Sequence, residues 1–173
     1  NYGLNRVRFT APVPVGSEGV VYLPYLSESG IIAPVVDREA RAGFHGLTPR
    51  HGRPHMLRAV YEGVVLALGD LYRELEGAGG EILLTGGGIR SPMWSQMIAD
   101  ALGVTVLVPA GTEFGARGAA LLAATSVGRF ARVEEASVST RAIQRRHEPN
   151  MAAAPQWSRA FAAYRAHRDK VLG

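Results

Sequence analysis

The chain has 173 residues, 47% of them hydrophobic and none of them cysteine, which fits one globular domain with a sizeable core and excludes a disulfide framework or thiol chemistry. No run is apolar and long enough to span a membrane, and the chain starts with Asn1-Tyr2 rather than Met or an export signal, so a piece of a longer, cytoplasmic protein is expected. The formal charge is +4, but the densest basic group, Arg141, Arg145 and Arg146, lacks the interleaved aromatics of a nucleic-acid platform and reads as a solvated helix face.

Residues 1–18 show no periodicity and are punctuated by Pro12, Pro14 and Gly16, which predicts a connecting segment. Gly19 to Leu26 is a short apolar run that ends in a loop. His51 and His55 have the four-residue spacing of a helical zinc pair, yet Pro54 lies between them and no Glu follows His51, so capping and packing roles are expected instead. From His55 to Glu76 the residues Leu57, Val60, Tyr61, Val64, Leu68, Leu71, Tyr72 and Leu75 recur at three and four, predicting an amphipathic helix with Leu68 on its buried stripe and Arg73 opposite. Arg58 and Glu62 are spaced for an exposed ion pair of about 0.2–0.5 kcal/mol. Gly63 and Gly69, each costing roughly 1 kcal/mol in a helix interior, imply that another backbone approaches closely.

The chain from Glu81 to Gly103 reads as a short buried strand, a glycine turn, and a helix with Ser91 as N-cap, Pro92 at its first position and Gly103 as its stop. A second strand, Val104–Val108, and a second helix from Glu113 to Ala124 follow, giving a β-turn-α-β-α unit within a core of residues 19–128. Gly115, Ala116, Gly118, Ala119 and Ala120 predict close packing against that second helix. Residues 129–173 are expected to be a peripheral segment, with Arg129–Arg146 a helix or loop and Trp157, Ala160, Phe161, Tyr164 and Val171 marking a last amphipathic helix. The three glycines allow unusual backbone angles and bring N–H groups near a ligand. A dinucleotide fingerprint fails because Ser91 stands where the third glycine belongs, and a P-loop fails because Arg90-Ser91-Pro92 offers no Lys-Ser pair. Standing alone, a triple glycine reads rather as a tight turn with no ligand.

A further reading comes from resemblance. Thr85-Gly-Gly-Gly-Ile-Arg-Ser-Pro-Met-Trp-Ser-Gln96, with Ala99-Asp100, Gly103, Pro109, Glu113 and Gly118-Ala-Ala120, resembles the C-terminal lobe of the FGGY carbohydrate kinases, of the xylulokinase or polyol-kinase sort. The resemblance runs from about Gly19 to the C-terminus and takes in Leu23-Pro-Tyr-Leu26, Gly43 to Thr48 and Arg58-Ala-Val-Tyr-Glu-Gly63. It implies an α/β fold, part of the C-terminal lobe of an actin/hexokinase/Hsp70-type (ribonuclease H-like) ATPase, with Gly86, Gly87, Gly88, Ile89 and Ser91 forming the adenosine turn. Two departures stand out: Ile31 and Ile32 where the family has Glu-Arg, and Ile89 where it has Ala, which could crowd the adenine slot. The Gly77-Ala-Gly-Gly80 link is also shorter than the family's connection, as if residues were missing.

The resemblance further implies ATP and Mg²⁺ as cofactors, phosphoryl transfer to a ketose or polyol, and an N-terminal kinase lobe as partner, and it leaves room for a homodimer. It implies neither nucleic acid nor membrane as a partner. The family's catalytic Asp and phosphate loops have no counterpart here, and Asp37, Asp70, Asp100 and Asp169 lack a partner that would mark a base, so no catalytic or metal-binding residue is assigned and the chain alone is expected to be inactive. The alternative is a non-catalytic nucleotide-binding or assembly module that retained the fold.

Overall fold

The computed structural model describes residues 19–75 and 79–173. The expected connecting segment 1–18, the expected helix end at Glu76 and the Gly77-Ala78 half of the short link lie outside them.

The first unit is a hairpin laid on a long helix. β1 (Val21–Leu23) pairs antiparallel with β2 (Gly43–His45), with Tyr22 opposite Phe44 and their rings 4.7 Å apart. α1 (Arg53–Arg73) begins two residues earlier than the periodicity predicts, because Pro54 suits a helix's first turn and the Gly52 N–H donates to the His55 ring nitrogen Nδ1 at 3.1 Å. His51 Nδ1 likewise accepts from the Thr48 N–H at 2.8 Å, so both histidines act as local caps.

The expected stripe of α1 needs correction. Its buried residues are Ala59, Tyr61, Glu62, Gly63, Val65, Leu66, Gly69 and Asp70, whereas Leu68 is half-buried and Leu71 and Leu75 are exposed. The helix is covered by β1 on one side and by later helices on the others, and the closest approaches run over small residues. A Cβ on Gly63 would lie 2.2 Å from the Tyr22 carbonyl oxygen, so the expected close backbone approach is that of β1. Arg73 is not idle either: its guanidinium sits 3.8 Å from the centre of the Phe161 ring.

The second unit is a βαβ crossover. β3 (Glu81–Leu83) runs parallel to β4 (Thr105–Pro109), joined through α2 (Pro92–Leu102), and β5 (Ile143–His147) closes the sheet antiparallel to β4 in the order β3-β4-β5. α2 keeps its predicted limits: Ser91 Oγ accepts from the Trp94 N–H at 3.3 Å, and Gly103, left-handed at φ 69°, donates to the Ala99 carbonyl at 2.9 Å. β4 is the buried strand, whereas Glu81 and Leu83 of β3 are exposed, against expectation, because β3 lies at the sheet edge among the described residues.

Beyond β4, α3 (Phe114–Ser126) has no fully buried residue, and a Cβ on Gly115 or Gly118 would meet open space. The expected close packing against its small residues is therefore absent among the described residues; its neighbour is α4 (Val133–Ser139). The reading of 129–146 as a helix or loop missed β5, whose charged composition hides a strand. α5 (Ala154–Leu172) buries Trp157, Ala160, Phe161 and Tyr164 as its pattern predicts, while Val171 is exposed. One core joins both units: Leu23 of β1, Val65 and Leu66 of α1, Met97 and Ile98 of α2, Val106 and Val108 of β4, and the α5 aromatics.

Candidate functional site

The glycine turn follows β3 at the carboxyl end of two parallel strands, where open α/β sheets hold their ligands. Gly86 has φ 91° and ψ −171°, a conformation a side chain resists, and Gly87–Arg90 form a short 3-10 turn. The Ile89 N–H reaches the Gly86 carbonyl at 3.4 Å and the Ser91 N–H reaches that of Gly88 at 3.1 Å. In such a turn the leading N–H groups, those of Gly87 and Gly88, have no acceptor inside it and can face a ligand.

The three glycines do different work. Gly87 has open space where a Cβ would stand, so a ligand can approach its backbone. At Gly88 a Cβ would lie 2.8 Å from the Trp94 ring, so this glycine seats the turn on Trp94, which meets Tyr61 edge-on at 5.8 Å. Ile89 is 7% exposed and belongs to the core, so its bulk anchors the turn from within and does not crowd the outer slot. Ser91 serves as the N-cap and is half-buried. The structure thus brings Gly86, Gly87, Gly88, Ile89 and Ser91 into one turn, with Gly87 offering the open face.

Two further participants were given no role from the sequence, although Trp94 lies within the Thr85–Gln96 motif. Trp94 is the floor of the turn. Arg145 of β5 donates from Nη2 to the Ile89 carbonyl across 56 positions, and one arginine of the basic group Arg141, Arg145 and Arg146 gives no hint of that partner. Burial and the neighbouring Arg145 hold His147 below the usual histidine range, although its Nδ1 lies 3.2 Å from Gln96 Oε1.

Beside the turn, Leu83, Thr85, Pro109, Phe114, Arg117 and Arg141 line a hollow of about 160 Å³ between the strand ends and α3. A larger one, about 250 Å³, lies between β1, α1 and α5, away from the turn, and includes Glu62. That carboxylate is bound by Arg58 Nε at 2.6 Å and is 6% exposed, so the pair expected on a solvated face is buried.

The four aspartates are each engaged by neighbouring groups of the fold. Asp37 accepts from the Glu39 and Ala40 N–H groups at 2.8 and 3.1 Å, and Asp100 from Gln96 Nε2 and the Asn150 N–H, both at 2.8 Å. Asp70 is buried between Arg165, 3.0 Å away, and Arg168, which also holds Asp169 at 2.7 Å. Among the described residues no group of three or more His, Asp or Glu could hold a metal ion. The described residues therefore do not fit a Mg²⁺ site built from a cluster of protein side chains.

Residues 8–127 match the model of the FGGY family of carbohydrate kinases, C-terminal domain. The erythritol kinase of Brucella abortus is 35% identical over 86% of this chain and 29% of its own length, and the xylulose kinase of Bacillus subtilis is 35% identical over 71% and 25%. Among solved structures, the xylulose kinase of Lactobacillus acidophilus superposes with a TM-score of 0.79 at 28% identity, covering 91% of this chain and 32% of that one. Plasmodium falciparum glycerol kinase with ADP shares the fold at a TM-score of 0.74 and 22% identity. The chain spans about a quarter to a third of these relatives. With the α/β fold of these actin/hexokinase-like kinases, the chain belongs to the FGGY family of carbohydrate kinases as part of their C-terminal domain.

Proposed function

We propose that this chain is the nucleotide-binding portion of a cytoplasmic carbohydrate kinase that transfers the γ-phosphate of ATP to a hydroxyl of a ketose or polyol. The observation that carries the reading is the open backbone of Gly87, in a turn at the carboxyl ends of β3 and β4, in a chain of this family. Gly86 and Gly87 present backbone to the adenosine end of ATP, Ile89 and Trp94 hold the turn from beneath, and Ser91 caps the helix that follows the turn. Mg²⁺ and the phosphate contacts are assigned to the rest of the enzyme, because no acidic cluster among the described residues could hold the ion. Similarity to kinases named for erythritol, xylulose, glycerol and gluconate supports a polyhydroxylated acceptor as the substrate class.

Gly87→Val in the full-length protein is the clean test, since the new side chain meets no neighbour inside the chain. Calorimetry should show weaker ATP binding with an unchanged melting temperature and unchanged sugar binding; unchanged ATP affinity would remove the turn from the nucleotide site. Gly88→Val is the poorer test, because its side chain strikes Trp94 and would disturb the fold as well. The same preparation, assayed for ADP release over a panel of pentuloses and polyols, separates a kinase from a module that binds nucleotide without turnover.

A further inference from the structure

A turn built on three glycines, closed by backbone hydrogen bonds from Ile89 to Gly86 and from Ser91 to Gly88, is held only weakly from within. The Ile89 N–H to Gly86 bond is 3.4 Å, near the limit of a hydrogen bond, and glycine backbones have the most conformational freedom to lose. The restraints come from outside: the Ile89 side chain in the core, the Trp94 ring under Gly88, the Ser91 cap, and Arg145. Only the last is charge-assisted. Arg145 stands opposite Val108, a fully buried residue of the central strand, so its backbone is fixed by the sheet. Its Nη2 donates to the Ile89 carbonyl, and its Nε is buried without a partner. The next residue, Arg146, points its charge elsewhere, to Glu81 and Glu148 at 2.5 Å each.

We propose that Arg145 is a positioning residue for nucleotide binding: from β5 it latches the Ile89 carbonyl and holds the Gly86–Gly88 backbone in the shape that receives ATP. The proposal rests on the reading of that turn as the nucleotide site. Arg145 need not touch the nucleotide. It acts by preorganisation, since a turn already held in its bound shape loses little freedom when the ligand arrives. Without the guanidinium the Ile89 carbonyl loses its partner and the glycines can sample other conformations.

The test uses the full-length protein, with ATP affinity measured by calorimetry and fold integrity by thermal unfolding. Arg145→Met keeps the apolar stem and removes the donors; its dissociation constant for ATP should rise about tenfold, the effect of one hydrogen bond to a charged group. Arg145→Lys returns the charge with a single compact donor and should recover part of that loss. Arg146→Met is the control, and its ATP affinity should match that of the unmodified protein. If Arg145→Met does not fold, the comparison of Arg145→Lys with Arg146→Met decides, with weaker ATP binding in the former alone as the supporting result. Unchanged ATP binding in the Arg145 variants, with weakened binding in Gly87→Val, would overturn the positioning role and leave the turn's assignment standing. If Gly87→Val also binds ATP normally, both readings fall. An affinity loss that Arg145→Lys does not relieve, and that tracks a lowered melting temperature, would reduce Arg145 to a structural residue.

Discussion

Asp70 shows how far a residue's surroundings can depart from its sequence neighbourhood. Its carboxylate is 1% exposed and held by two arginines from α5, 95 and 98 positions away. Asp70→Asn would leave two guanidinium groups facing a neutral amide in a buried site, and breaking such a pair costs roughly 3–5 kcal/mol. Arg165 is 38% exposed, which places the result toward the lower end. Asp169→Asn, whose carboxylate is 63% exposed, should cost about 0–1 kcal/mol. Denaturant titration of both variants checks the order, and equal costs would mean that the α1 to α5 clamp contributes nothing. The glycine turn was legible at this level as a turn, because Gly86 holds a backbone angle that side chains resist. Which glycine faces outward was not, since the division between Gly87 and Gly88 depends on where the Trp94 ring comes to rest.

α1 carries the clearest difference between pattern and packing. The three-and-four spacing correctly identified a long helix, yet its fully buried positions include Ala59, Gly63 and Gly69, small residues that no hydrophobicity pattern favours over leucine. Leu66, 4% exposed, should therefore lose about 2–5 kcal/mol on change to Ala. The half-buried Leu68 should lose less, and Arg73→Ala, which gives up the contact with Phe161, about 0.5–1 kcal/mol. Chemical denaturation that ranked Leu68 above Leu66 would contradict the observed register. The contact of α5 with β2 adds a pH dependence. His167 stacks on His45 at 5.1 Å, and burial, His45 and Lys170 hold its pKa below the usual histidine value. The unfolded chain then binds the proton first, so this site's contribution to stability is intact at neutral pH and declines as pH falls through about 6.5 toward the lowered folded pKa. His167→Gln should flatten the fall in melting temperature between pH 7 and 5.5; an unchanged slope would exclude the pair as its source.

Taken whole, the described residues leave apolar surface uncovered: Leu83 on the edge strand, Leu122 and Val127 at α3, and Val138 on α4 are all exposed. The isolated 173-residue chain is therefore expected to self-associate, measurable by sedimentation. It should also bind ATP more weakly than micromolar, since that affinity needs about 8.2 kcal/mol while each backbone hydrogen bond contributes a net of about 0.5–1.5 kcal/mol. Sugar-dependent ADP release by this chain alone would show that it contains catalytic groups the aspartate assignments missed. The βαβ unit, the limits of α2, the family and the glycine turn were all readable in the residue order, because caps, glycine stops and strand-to-helix periodicity are local chemistry acting over a few positions. The burial of the Arg58 and Glu62 pair, the Asp70 clamp, the strand at Ile143–His147 and the reach of Arg145 to Ile89 arise only when distant segments pack, since each depends on which charge or backbone group a fold brings opposite.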